Sequence, residues 1–343
     1  MTTPLFFDYE KMKKYLPKNS GIFIFALSLL LALSATTLVS PPEAEITNGI
    51  IHARLYLPDP DNGYYRGSRF DWSGVIPDLE YDGHTYYGQW FPKYDPRMHD
   101  AIMGPVEDFH PIGFDEAKPG ETFLKIGIGI LVRPDTSRYS IVPPYEIVNS
   151  GKWKVKTKPD HVEFLHTLND TSYSYEYKKT IDLIKGKPGM IISHTLKNTG
   201  RNSIETEVYD HNFFMLDKQT TGPGFIITFP FNLMGEGGKP GLAEIRGNQI
   251  VFTKELARNE HVYYAALNGY GASAKDYDIK VENQNTGAGV RITCDKPLSK
   301  LAFWSASTTV CPEPFIKIKI NPGESFSWKI SYNYYSLKPQ RIK

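Results

Sequence analysis

The stretch 174-SYEYKKTIDLIKGKPGMIISHTLKNTGRNSIETEVYDHNFF-214 decides the fold of this chain. Apolar and polar residues roughly alternate in 174-SYEYKKTIDLI-184 and again in 203-SIETEVYDHNFF-214. That alternation is the period of a half-buried β-strand. The segments 185–189 and 198–202 are rich in Gly, Pro and Asn and predict hairpin turns between the strands. This part of the chain therefore predicts consecutive antiparallel strands.

Short strands continue on both sides of this stretch. The segment 161-HVEFLHTL-168 precedes it, and four more follow toward the C-terminus: 288-AGVRITC-294, 300-KLAFWSA-306, 315-FIKIKI-320 and 325-SFSWKISYNYY-335. No sustained helical period occurs after the N-terminal region. Many short strands at close spacing are typical of an all-β sandwich or barrel. In the absence of an internal repeat or a linker, we expect one domain over residues 46–343.

Composition argues against a polyanionic partner. The 343 residues include 39 Lys and Arg against 38 Asp and Glu, for a formal net charge of +1. Nucleic-acid-binding proteins usually carry a clear basic excess, so no nucleic-acid partner is expected. The 22 Tyr and 19 Phe favour a β-rich core, although exposed aromatic rings also stack on sugars. Cys294 and Cys311 are compatible with one disulfide or with two small buried side chains.

The N-terminus has the pattern of an export signal. Four lysines between positions 11 and 18 precede an uncharged, largely apolar stretch over residues 21–39. The apolar core is shorter than a membrane-spanning helix needs, which favours a cleaved signal peptide over an uncleaved anchor. Residues 1–45 are therefore assigned to a signal peptide or N-terminal anchor. Both alternatives predict an exported protein, periplasmic or extracellular, that contacts a membrane only through an uncleaved anchor.

Three segments concentrate polar and aromatic side chains. They are 64-YYRGSRFDWSG-74, which contains Arg66 and Arg69, 209-YDHNFF-214, and 311-CPEPF-315. Histidine is the commonest general acid or base, and prolines on both sides can hold a carboxylate rigidly. Each segment also has a purely structural interpretation, as a surface ion pair, a satisfied polar residue or the turn before a strand. Dinucleotide-binding, nucleophile-elbow and zinc-protease motifs are absent from the sequence.

Taken in chain order, these segments resemble the aldose 1-epimerases of the galactose mutarotase-like superfamily. The run 194-HTLKNTGRNSIETEVYDHNFF-214 is similar to the family segment that ends in the catalytic-histidine motif, and His211 matches that position. The C-terminal 313-EP-314 and 321-NPGESFSW-328 look like the family's catalytic glutamate and its following strand, which places Glu313 on the catalytic position. The stretch 277–306 is similar to the intervening family pattern. The resemblance covers about 160–335 and, more weakly, 64–90.

The resemblance implies a large antiparallel β-supersandwich and an aldose 1-epimerase-like activity on a free sugar, with no cofactor. Alternatives on the same scaffold are a non-catalytic glycan-binding protein or a polysaccharide-processing enzyme. The implied catalytic residues are Glu313 as base and His211 as acid, on opposite sides of one sugar ring. The flanking prolines lead us to expect an ionised Glu313. The expected substrate-binding residues are Arg66, Arg69, Lys125, Asp210, Asn212 and Trp304, with Trp304 equally compatible with a place in the core.

Two family segments are replaced in this chain. In place of the early "G-R-x-x-N-R" segment stands 103-MGPVEDF-109, and in place of the "H-G-G" segment stands 121-ETFLKIGIG-129. Lys125 falls near the position of a binding arginine. Because such loops contact the hydroxyl groups of the substrate in the family, the identity of the sugar does not follow from the sequence.

Overall fold

Side chains along neighbouring strands of the protein alternate between buried and more exposed positions. The computed structural model describes residues 40–170 and 173–337, so the apolar part of the predicted export signal lies outside the described residues. Within those ranges, no helix is long and apolar enough to cross a membrane. Strand His161–Leu168 alternates between half-buried and buried side chains along its whole length. The prediction of an all-β fold is confirmed, and all the paired strands are antiparallel.

The strands form two large sheets and three small ones. The ten-stranded sheet has the spatial order β16 (Ala243–Arg246), β17 (Gln249–Phe252), β14 (Phe225–Thr228), β20 (Asp278–Asn283), β21 (Ala288–Cys294), β24 (Ser325–Ser336), β12 (Gly189–Asn198), β11 (Tyr175–Leu183), β10 (His161–Leu168) and β9 (Lys152–Lys158). The five-stranded sheet has the order β18 (His261–Tyr264), β22 (Lys300–Ala306), β23 (Thr309–Ile320), β13 (Ile204–Phe213) and β5 (Gly104–Phe109). The first small sheet has the order β1 (Glu43–Thr47), β2 (Ile51–Tyr56), β3 (Val75–Tyr81) and β4 (His84–Thr85). The second has the order β6 (Thr122–Lys125), β7 (Gly129–Val132) and β8 (Ile147–Asn149). The third pairs β15 (Met234–Glu236) with β19 (Ala266–Asn268).

The two large sheets share one apolar core. Val208, Ile316 and Ile318 of the five-stranded sheet belong to the same buried cluster as Ile192 and Trp328 of the ten-stranded sheet. Several of the largest fully buried side chains are tyrosines, including those at positions 65, 86, 87, 175, 177, 277, 332 and 334. Most of the aromatic excess in the sequence therefore serves the core.

Only one of the two predicted hairpin turns joins neighbours in one sheet. Segment 185–189 links β11 to β12, which pair directly. Segment 198–202 instead carries the chain from β12 into β13 of the other sheet, because β12 pairs with β24 and β13 pairs with β23. Asn198 stabilises this crossover by donating hydrogen bonds to the carbonyl oxygens of Asn202 (2.8 Å) and Ile320 (3.1 Å). The hairpin prediction for 198–202 is wrong because local sequence signals a turn but not the sheet that the next strand joins.

A buried ionic cluster lies against the inner face of β11. Lys179 shares that face with Tyr175 and Tyr177, and its ammonium contacts Glu107 and donates to the carbonyl oxygen of Ser73 at 2.9 Å. His194 Nε2 lies 2.6 Å from the other oxygen of Glu107. Although burial opposes ionisation, Lys179 and His194 lower the pKa of Glu107 to about 2. The cluster is therefore a set of paired charges inside the sandwich.

The strand at one end of the ten-stranded sheet is lined with charge. β9 has the sequence KWKVKTK, and its four lysines, at positions 152, 154, 156 and 158, are exposed. Only Trp153 and Val155 of this strand pack against the core cluster. Exposed lysines on an edge strand disfavour pairing with a strand of another molecule.

Candidate active site

A cavity of about 600 Å³ lies on the face of the five-stranded sheet that points away from the ten-stranded sheet. Alternate residues of β13, namely Tyr209, His211 and Phe213, line it. Glu313 of β23 and Trp304 of β22 line it from the neighbouring strands. Strand alternation accounts for the set, since residues i and i+2 share one face of a sheet. The volume falls within the range of small-molecule sites.

His211 and Glu313 contact each other directly across β13 and β23. The paired register of these strands runs to Tyr209 opposite Phe315, and extending it sets His211 opposite Glu313. His211 Nε2 lies 3.3 Å from Glu313 Oε1, and the two residues are only 3% and 6% exposed. The expectation that they flank opposite sides of a sugar ring is therefore wrong. The two groups lie side by side and face the same cavity.

The prolines beside Glu313 explain why the strand ladder opens at this point. Pro312 and Pro314 lie inside β23 and have no N–H to donate, so they weaken pairing with β13. The side chain of Asn212 fills part of the gap by donating to the carbonyl oxygen of Pro312 at 3.1 Å. Regular contact resumes only at the bridge between Phe214 and Val310. The predicted turn before a strand is thus a proline-interrupted strand interior.

Burial sets the protonation of His211 and Glu313 at neutral pH. Burial, with nearby Arg69 acting in the same direction, holds the pKa of His211 well below its usual range. Burial also raises the pKa of Glu313 from 4.5 to about 8, with nearby Asp108 adding to the rise and Arg69 opposing it. Glu313 is therefore mostly protonated and His211 neutral, which is the reverse of the ionised glutamate expected from the sequence. His211 Nδ1 is buried without a hydrogen-bond partner.

A network of charges holds Arg69 in the wall of the cavity. Its guanidinium donates from Nε to Asp108 Oδ2 at 3.1 Å and from Nη2 to the Tyr209 hydroxyl at 2.9 Å, and Nη1 contacts Asp100. The Tyr209 hydroxyl donates to the same Asp108 oxygen at 2.9 Å. The guanidinium also lies 4.3 Å from the ring centre of Phe70. These contacts hold Arg69 in place, and its positive charge acts on both His211 and Glu313.

Lys125 supports this wall from behind. Its ammonium donates to Asp108 Oδ1 at 2.6 Å, and the residue is fully buried. Burial lowers the pKa of Lys125 while Asp108 counteracts the effect. Lys125 does not line the cavity. Its part in the site is to orient Asp108 rather than to contact a ligand.

Aromatic rings surround the pair. Phe213 stacks on the His211 ring, with centroids 3.9 Å apart and planes 10° apart. Trp304 meets His211 edge-on at 6.0 Å, and the register places Tyr263 directly beside Trp304. Trp304 is half-buried and Tyr263 is 47% exposed, so both present ring surface to the cavity. This combination of ring faces and hydrogen-bonding groups suits a sugar.

Many solved structures share this architecture, whereas no protein-family model and no curated protein matches the chain. The aldose epimerase homologue from C. elegans has a TM-score of 0.54 and 14% identity, covering 87% of this chain and 100% of its own. The galactose mutarotase related enzyme from Lactobacillus acidophilus has a TM-score of 0.52 and 12% identity, covering 87% of this chain and 98% of its own. A galactose mutarotase-like protein from Clostridium acetobutylicum has a TM-score of 0.51 and 13% identity, covering 87% of this chain and 99% of its own.

The chain has the galactose mutarotase-like fold. Identities of 12–14% show the fold alone. Among the described residues no group of three or more His, Cys, Asp or Glu side chains is placed to hold a metal ion. Cys294 and Cys311 are both buried and free, which settles the alternatives left open by the sequence.

Besides Lys125, three other predicted ligand-contacting residues lie away from the cavity. Asp210 and Asn212 alternate with His211 on β13 and therefore point into the sandwich, where both contact the Tyr332 hydroxyl, Asn212 through Oδ1 at 3.0 Å. Burial, with nearby Glu107, raises the pKa of Asp210 to about 7. Arg66 lines a different cavity. Closeness in sequence to His211 misled the prediction, since adjacent strand residues face opposite ways.

Sequence reasoning missed several cavity residues, among them Asp100, Asp108, Tyr209 and Tyr263. Tyr209 could have been found from its spacing of two residues before His211, which puts both on one strand face. The two aspartates come from 100–108, a stretch that carries no recognisable motif and joins the site only through the pairing of β5 with β13.

Proposed function

We propose that the mutarotase-like domain interconverts the anomers of a free aldose by general acid–base catalysis. The observation that carries the proposal is the 3.3 Å contact between His211 Nε2 and Glu313 Oε1 at the wall of the cavity. Mutarotation requires proton transfer at only two oxygens, the C1 hydroxyl and the ring oxygen. Both are bonded to C1, so an adjacent acid and base can reach them together.

The protonation state of the pair gives each residue a role. Neutral His211 accepts the proton of the C1 hydroxyl at Nε2 while Glu313 donates its proton to the ring oxygen, and the bond between C1 and the ring oxygen breaks. Rotation about C1–C2 then presents the other face of the aldehyde. On closure, the Glu313 carboxylate takes the proton of the attacking hydroxyl, and protonated His211 returns its proton to the carbonyl oxygen. The pair ends as it began, and no net proton is consumed.

The surrounding residues support these transfers. Arg69 disfavours a second positive charge on His211, which keeps the imidazole available as a base. Phe213 fixes the plane of the imidazole by stacking. Trp304 and Tyr263 offer ring faces on which the sugar can stack.

The test is anomer interconversion measured by polarimetry or by NMR exchange over a panel of hexoses. His211→Ala and Glu313→Gln are expected to lower the rate at least about a hundredfold, the usual scale for loss of a general acid or base. Matched controls are His52→Ala and Glu176→Gln, both exposed residues of other strand faces. Equal rates for the wild type and both active-site variants on every sugar would remove the enzyme proposal.

A second candidate is a glycan-binding protein without catalysis. The exposed ring of Tyr263 beside Trp304 at the cavity favours it, because paired aromatic faces alone can hold a saccharide. This candidate predicts glycan binding that survives His211→Ala and Glu313→Gln but is lost on Trp304→Ala. The catalytic proposal predicts slow anomer exchange in the first two variants with substrate binding retained.

We also propose, from the sequence pattern alone, that the domain works outside the cytoplasm. The basic and apolar N-terminal pattern supports the proposal. Cell fractionation with mass spectrometry of the mature N-terminus would test it, and a cytoplasmic protein starting at Met1 would contradict it.

A further inference from the structure

A second cavity, of about 510 Å³, shares no lining residue with the catalytic one. Arg66, Arg97, Ser68 and Tyr145 are among its lining residues. The stretch 139–145 lies between the two cavities, with Tyr139 lining the first and Tyr145 the second. Those two rings stack with centroids 5.5 Å apart, so the partition is a packed wall.

The two arginines of this cavity have no carboxylate partner among the described residues. Neither guanidinium lies within ion-pair distance of a carboxylate in residues 40–170 or 173–337. Arg66 Nη1 donates to the carbonyl oxygen of Asp61 at 2.5 Å, while its Nε is buried with no hydrogen-bond partner. A buried donor without a partner is costly, and an incoming acceptor would relieve that cost.

Two neighbouring carboxylates accept hydrogen bonds from backbone N–H groups and not from the arginine side chains. Asp59 accepts from the backbone N–H groups of Asp61 (2.8 Å) and Asn62 (2.7 Å), and Asp95 accepts from the backbone N–H of Arg97 at 2.8 Å. Glu146, an exposed residue at the cavity, is the one acidic side chain among its lining residues. Two guanidinium groups against one carboxylate leave the lining with a net positive charge.

We propose that this second cavity binds the oxyanion of an acidic ligand, a carboxylate or a sulfate, through Arg66 and Arg97. A guanidinium presents parallel N–H donors that match two oxygens of such a group. The backbone N–H of Arg66 donates to the carbonyl oxygen of Pro96 at 2.7 Å, which ties the two arginine-bearing segments together. The Tyr145 backbone N–H donates to Ser68 Oγ at 3.1 Å, leaving the Ser68 hydroxyl hydrogen free to reach a ligand. This site does not depend on the proposed epimerase activity.

The test is calorimetric titration of the full chain with glucuronate, inorganic sulfate and glucose. We expect glucuronate and sulfate to bind competitively, and at least about tenfold more tightly than glucose, with affinity falling as NaCl rises. Arg66→Gln should weaken oxyanion binding about tenfold and Arg97→Gln about threefold, since the second guanidinium is more exposed. Arg201→Gln, an exposed arginine on the 198–202 crossover, is the matched control and should leave binding unchanged.

The result that overturns the proposal is equal affinity for glucuronate and glucose, or affinity unchanged in the two arginine variants. Loss of glucuronate binding in His211→Ala, with retention in the arginine variants, would place the ligand in the catalytic cavity and also overturn it. If Arg66→Gln does not fold, the affinity of Arg97→Gln for glucuronate and the salt dependence of binding still test the proposal. Anomer exchange on neutral sugars is expected to stay unchanged in Arg97→Gln, so this proposal and the epimerase proposal can fail separately.

Discussion

Replacing Glu313 by glutamine is expected to stabilise the folded protein at alkaline pH. Burial raises the pKa of Glu313 from 4.5 to about 8, so the folded state binds this proton more tightly than the unfolded chain does. Above pH 4.5 the unfolded chain releases the proton freely, whereas the folded protein either retains it or buries a charge. The free energy of unfolding contributed by this residue therefore falls as pH rises toward about 8 and then stays constant.

The size of the effect follows from the shift. At about 1.4 kcal/mol for each pKa unit, the full shift corresponds to about 5 kcal/mol. Glutamine has nearly the shape of the protonated acid and cannot ionise. Glu313→Gln should thus unfold much like the wild type near pH 5 and be roughly 4–5 kcal/mol more stable at pH 9.

Urea unfolding followed by tryptophan fluorescence at pH 5, 7 and 9 measures this difference. Other buried acids, such as Asp210, titrate equally in both proteins and cancel in the comparison. Glu176→Gln, at an exposed position of β11, controls for loss of a carboxylate and should show no growth of the difference with pH. A Glu313→Gln protein less stable than the wild type at pH 9, or a difference independent of pH, would refute the claim that burial keeps this group protonated.

Three further outcomes are expected. The anomer exchange rate should fall about tenfold per pH unit above about pH 8, where Glu313 loses the proton it donates. Polarimetry across pH 5–10 measures this rate, and a rate that rises above pH 8 would contradict the assigned roles. Trp304→Ala should raise KM about three- to tenfold, with kcat changed less, because a stacking face is lost; steady-state kinetics that leave KM unaltered would exclude stacking. Lys179→Met should lower the free energy of unfolding by about 3–5 kcal/mol because Glu107 loses its buried cation, whereas exposed Lys178→Met should be neutral in urea unfolding.

Sequence patterns predicted the strands well because alternation is a local property. The segment from Tyr175 to Leu183 shows it clearly, and β11 has those bounds. The buried charge of Lys179 within that pattern could not be anticipated, because its partner Glu107 comes from a strand more than seventy residues earlier. Periodicity identifies a strand and its two faces but says nothing of which distant side chains meet there.

The site was predicted only in part, because the sequence does not show which distant side chains meet. The resemblance singled out His211 and Glu313, and β13 and β23 bring them into contact. Their protonation could not be read from the flanking prolines, because it depends on burial by residues from several strands. Asp210 and Asn212 were assigned by proximity along the chain, and strand geometry turns them away. Alternation along a strand predicts which face of the sheet a side chain lies on, whereas the position of a loop residue such as Asp100 depends on the whole fold.

The lysine row on β9 has a consequence for self-association. Two copies that met edge to edge at this strand would bring two rows of ammonium groups together at the spacing of neighbouring strands, where like charges repel. Growth of the ten-stranded sheet into a fibril through this end is therefore opposed even at high local concentration. Neutralising those amines, by acetylation for example, would remove the barrier without touching either cavity.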